Sequence, residues 1–170
     1  MSNLNSAFEQ YHMTHGNFVE AYKMVNDYVT ELYKLPKRFL DETEGTMNLL
    51  TGRHFAPQAP SASDSSMRVI VNFMDQIDEF TMSTIGLFNE HMKHMDETEV
   101  YMKKVIALDS KSDERNPLEF ATEYTALTPK VIELMDGLKQ IKTKADDTLV
   151  WLEKLEVKWE DVQVKIKLAA

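Results

Sequence analysis

Apolar and aromatic residues recur along the chain at alternating intervals of three and four. That spacing keeps one stripe of a supercoiled helix against its partner. In a first segment the stripe runs from Leu4 through Tyr11, Phe18, Val25, Leu32 and Phe39 to Leu50. In a second it reads Met67, Ile70, Met74, Ile77, Thr81, Thr84, Phe88, His91, Met95, Thr98, Met102 and Val105. Phe73, Phe80, Ile85, Leu87, Met92 and Ile106 flank this row and widen it, as suits a helix touching two neighbours. A third stripe runs from Val131 through Leu138, Ala145, Leu152 and Trp159 to Ile166. Nowhere does the pattern alternate residue by residue as a half-buried strand would.

Two stretches punctuate the rows. Gly52 to Asp64 is rich in proline and small residues, and Asp109 to Pro117 is polar, so helices are predicted over roughly 3–51, 65–108 and 117–168. Asp64 or Ser65 is expected to cap the second helix, and Asn116 followed by Pro117 to start the third. Three long helices with short connections predict an all-α fold. The expected architecture is a single elongated, antiparallel three-helix bundle over residues 1–166, up-down-up and coiled-coil-like. At the rise of an α-helix its rods would be roughly 70 Å long. Folding the first two segments back about their connection places Asn26 opposite His91, and His15 opposite the region of Met102. Pro36 and Pro129 are expected to kink the first and third helices. Lys167-Leu168-Ala169-Ala170 reads like vector-encoded residues after a pattern cut in mid-stride. The native sequence is therefore expected to stop near Ile166, as the N-terminal part of a longer protein.

Composition narrows the functions. With 43% hydrophobic and 28% charged residues, the 170-residue chain can bury a core. The absence of cysteine excludes a disulfide scaffold, a thiol nucleophile and cysteine-ligated metals. Acidic residues outnumber basic ones 28 to 19, for a net charge of −9. That balance argues against nucleic acid, or an anionic membrane, as main partner. The N-terminus lacks a basic start and an apolar run, and no stretch approaches the roughly 20 apolar residues that span a bilayer. A soluble cytoplasmic protein is expected.

Candidate chemistry is sparse. The chain has no glycine-rich phosphate loop, no Gly-x-Ser-x-Gly elbow and no His-Glu-x-x-His, so no catalytic residue and no cofactor is assigned. His12 and His15, like His91 and His94, share a helix face, but the two pairs should lie about 16 Å apart and cannot share one ion. They are read as polar seam residues, and no metal is assigned. Thr43, Thr46, Thr81, Thr84, Thr98 and Thr148 also fall on the stripes, where a threonine can bond the carbonyl one turn back. The expected function is that of a non-catalytic scaffold or assembly module, binding a protein partner or a second copy as a homodimer. Its binding surface is expected in exposed side chains off the stripe: Tyr28, Tyr33, Tyr101, Trp151 and Val157. Trp159, on the stripe, should be largely buried and Trp151 more exposed. Local basic groups at Lys34, Lys37 and Arg38 surround the first expected kink. Three long kinked helices in this plan are similar to crescent-shaped BAR-type modules, and the resemblance implies membrane-surface binding as the alternative. The plan is also similar in outline to spectrin-type repeats, whose helices are far shorter; no residue is carried over from them.

Overall fold

The structure is a computed structural model describing residues 2–54, 64–111 and 116–169. These residues form α1 (Ser2–His54), α2 (Asp64–Ser110), α3 (Pro117–Thr125) and α4 (Thr128–Ala169), with no strand among them. The side chains of Leu50, Asp64, Ser65 and Met67, on which parts of the predicted stripes and caps depend, lie outside the described residues. The start of α3 is as expected: Asn116 accepts a 3.1 Å hydrogen bond from the Leu118 amide, with Pro117 at the first helical position.

The third predicted helix is instead two. α3 ends at Thr125, Ala126 and Leu127 form a turn, and α4 begins at Thr128. Pro129 opens α4 rather than kinking a longer helix. Proline has no amide proton to donate and disfavours helical backbone just before it, so the break falls upstream, where a first helical turn tolerates both defects. α1 is unbroken across Pro36, which is buried.

Contacts divide the chain into two compact units that cut the three long helices at Tyr28/Val29, Gly86/Leu87 and Lys144/Ala145. In unit 1, α1 and α2 meet through side-chain pairs whose numbers rise on one helix as they fall on the other. His15 bonds Tyr101 at 2.6 Å, Phe18 and Tyr22 lie against His94, and Asn26 bonds His91 at 3.0 Å. The fold-back expectation for His15 and His91 is thus met. α2 joins α4 through His94, whose Nε2–H donates to the Leu134 carbonyl at 2.8 Å, and through the Glu90–Lys144 ion pair. Gly137 permits this approach, since a Cβ there would sit 3.1 Å from the His94 ring. α3 packs by its buried Tyr124, whose ring lies against Phe8 and Tyr11 and whose hydroxyl donates to Asp109.

Unit 2 has an apolar core of Phe39, Ile70, Phe73, Phe80, Leu152, Leu155, Val162 and Ile166. Phe73 stacks on Trp159 with ring centroids 5.3 Å apart, and Phe80 meets Trp151 edge-on at 5.6 Å. Both tryptophans are only partly buried, which corrects the expected contrast between them. The Trp159 indole is too large to withdraw fully, and its outer edge borders a cleft with Arg38, Glu42, Glu156 and Glu160. Truncating either residue removes one aromatic pair and a similar share of apolar area. We expect Trp151→Ala and Trp159→Ala to destabilise the protein comparably, by about 1–3 kcal/mol each, in urea titrations.

The largest correction concerns α2. Ile70, His91, Thr98 and Val105 are buried as predicted, with Ile77 and Thr84 partly so, but every alternate position is displaced by one residue. Phe73, Phe80, Leu87, His94 and Tyr101 face inward, while Met74 and Phe88 are exposed and Thr81, Met95 and Met102 half-buried. Both rows alternate threes and fours, so spacing cannot choose between them. Contacts choose: the inner row supplies the partners of both tryptophans and the bonds of unit 1, although at Leu87 and Phe88 the smaller residue is the buried one.

Threonines on the stripes bond back as expected at Thr46, Thr84 and Thr98, which donate to Glu42, Phe80 and His94 carbonyls at 3.0, 2.9 and 2.8 Å. Thr43 differs. It is 1% exposed, and its hydroxyl has no partner. Thr43→Val keeps the shape and removes the desolvated hydroxyl, so thermal denaturation should show a stabilisation of about 1 kcal/mol.

Candidate functional site

The expected binding residues fall into three environments. Val157 is the most open, 69% exposed on the outside of α4. Tyr28, Tyr33 and Trp151 are half-buried, so each offers only an edge. Burial raises the Tyr33 phenol to about 12. Tyr101 is fully buried, which overturns its expected exposure. The cause is the one-residue displacement on α2, which turns Tyr101 inward in place of Met102. Its hydroxyl lies 2.9 Å from that of Tyr11 and 2.6 Å from His15 Nδ1, a chain of three polar groups inside unit 1. Burial, and secondarily Tyr11, raises the Tyr101 phenol well above its ordinary value. It is a structural residue. The structure therefore does not gather the five into one surface.

Other side chains form rows of exposed and half-buried residues. On α2, the row displaced from the core and its neighbour give Val71, Met74, Thr81 and Ile85 in unit 2. The corresponding row in unit 1 is Phe88, Met92, Met95, Met102 and Ile106, interrupted by Glu99. Within unit 1, Phe88, Met92 and Ile106 are 45%, 41% and 62% exposed. These residues again follow a frame of threes and fours, with Asp78 and Glu99 at its two charged positions, one helical face away from the buried seam. α2 thus carries two adjacent seams, one filled and one facing outward. A second, narrower row lies on α4 in unit 2, where Val150, Val157 and Val164 recur every seven residues, all exposed. They are bordered on one side by Asp146, Glu153 and Glu160.

Sequence reasoning named Ile85, Met92 and Ile106 but assigned them to a widened core. A 3-4 row of methionines and β-branched residues beside a bulkier 3-4 row was the available signal. Period-seven valines on α4 were equally legible.

Among the described residues no group of three histidine, aspartate or glutamate side chains is placed to hold a metal ion. No helix among them is long and apolar enough to cross a membrane. The basic residues Lys34 and Arg38 pair with Glu31 and Glu42 on their own helix face. No protein-family model matches this chain, and no curated protein or solved structure is significantly similar to it.

Placing Tyr101 in the interior and Val157 on the surface has a measurable consequence. Tyr101→Phe leaves Tyr11 and His15 without their shared partner and should cost about 1–3 kcal/mol. Val157→Ser should stay within about 0.5 kcal/mol. Equal effects in chemical denaturation would contradict this assignment.

Proposed function

We propose that the chain is a non-catalytic helical assembly module and that it pairs with a second copy of itself through the outward seam of α2. The observation that carries this reading is the second 3-4 row of α2, Phe88, Met92, Met95, Met102 and Ile106 in unit 1. A helix with one such row needs one partner stripe; a helix with two adjacent rows has apolar surface left over after the first is filled. Methionines dominate this surplus row, and their unbranched thioethers adapt to an imperfectly matched partner. Pairing of like helices suits a chain whose own α2 supplies both halves of a self-complementary, two-fold contact. The underlying plan is an up-down-up antiparallel bundle, with α1 bent at Pro36 and no reaction assigned to it.

A membrane-surface role, the BAR-like alternative, is less well supported. Lys34 and Arg38 already face carboxylates one turn away, and the net charge of −9 repels anionic lipid.

Sedimentation equilibrium at micromolar concentration should give twice the chain mass of 19.7 kDa. The double variant Met92→Glu/Ile106→Glu should sediment as a single chain with unchanged helical circular dichroism, because both positions are exposed and outside the core. A wild-type particle of one chain would remove self-assembly. Co-sedimentation with anionic vesicles would move the reading to the membrane-surface alternative.

A further inference from the structure

The two units differ in the kind of bond that joins their helices. In unit 2 the contacts between α2 and α4 are aromatic and aliphatic: Phe73 on Trp159, Phe80 on Trp151, within a core of leucine, isoleucine, valine and phenylalanine. In unit 1, beside apolar residues such as Phe18, Leu87 and Leu138, three imidazoles also bond across the helix contacts. His15 of α1 bonds Tyr101 of α2, His91 of α2 bonds Asn26 of α1, and His94 of α2 bonds the Leu134 carbonyl of α4. His91 and His94 are 4% and 5% exposed, and His15 is half-buried.

We propose that unit 1 is an acid-sensitive half of the protein: proton uptake at His91 and His15 loosens its α1–α2 contact under mild acid, while the apolar core of unit 2 holds. The surroundings of each ring support this. Asn26 of α1 can accept from the charged ring as from the neutral one but supplies no negative charge to offset burial of His91, and His94 sits three residues away on α2. Its neighbour Glu90 is engaged by Lys144 of α4. Around His15 lie Tyr11 and His12 on α1, and Tyr101 and Asp109 on α2. Of these four, only Asp109 would welcome a charge, and its carboxylate already accepts the Tyr124 hydroxyl of α3. Burial first, and a neighbouring histidine second, push both His15 and His91 below the ordinary imidazole value.

The sign follows. A ring whose folded value is depressed stabilises the fold fully above the unfolded value of about 6.5, and that stabilisation is lost as pH falls below it. At about pH 5.5 each such ring can lower the folded-to-open ratio by roughly tenfold.

Hydrogen exchange of the whole chain at about pH 7.5 and about pH 5.5, corrected for intrinsic rates, tests this. Amides of unit 1 should lose roughly tenfold or more in protection, while those of unit 2 keep theirs. Trp151 and Trp159 both lie in unit 2, so their fluorescence should stay constant across the same range. The double variant His15→Gln/His91→Gln should abolish the acid response of unit 1. Equal loss in both units, no loss in either, or a response that persists in the variant overturns the proposal. If that variant does not fold, the imidazole C2 proton titrations of the wild-type protein decide. Values for His15 and His91 at or above the free imidazole value would overturn it equally.

Discussion

Burial of one row of side chains on α2 is the constraint on which both units depend. Phe73 and Phe80 in unit 2, and Leu87, His94 and Tyr101 in unit 1, are the groups against which α1 or α4 is packed. Leu87 supplies apolar area, while each of the other four meets a ring, a carbonyl or a hydroxyl that a methionine in its place would not satisfy. The phenylalanines bury area without regard to angle, as apolar contact does. The imidazole and the phenol bond along fixed directions. Unit 2 therefore rests on quantity of apolar area, and unit 1 on its geometry as well.

That difference explains what could be read in advance. The stripes of α1 and α4 are legible almost residue by residue, from Tyr11 to Thr43 and from Val131 to Ile166, because no second apolar row at alternating threes and fours competes with them. The caps at Asn116 and the meeting of Asn26 with His91 were legible too, since both follow from local chemistry and a simple fold-back. α2 was legible at every second position. Its alternates were not, because a period of three and four is satisfied equally by Phe73 or Met74, Phe80 or Thr81, Tyr101 or Met102. What separates them is side-chain volume and available partners, which spacing does not carry. The break before Pro129 was misjudged for a related reason. A proline inside a long periodic run looks like a kink until the first-turn tolerance for proline is weighed against the loss of one hydrogen bond.

The binding surface suffered from the same ambiguity. Tyr101 was assigned outward because Met102 was assigned inward, and correcting one moves the other. Phe88 and Met92, exposed, and Met95, half-buried, lie on the outer row on which the assembly proposal rests. Tyr28, Tyr33 and Trp151 lie off the stripe by spacing, but a long ring there can lean back onto the core beside it, and all three are half-buried.

The hydrogen bonds of unit 1 have a consequence for how α2 sits in its own groove. Its two candidate rows differ by a rotation of the helix about its axis of about 50°. Apolar contact alone would leave these settings as shallow neighbouring wells, because methionine, threonine and phenylalanine can all fill the inner face after a turn. His94 reaching the Leu134 carbonyl past Gly137, and His91 reaching Asn26, act as detents. Turning α2 would draw both rings off their acceptors while changing the buried apolar area comparatively little. Histidines at these places thus perform an indexing task, selecting one angular position of a cylinder that would otherwise have two.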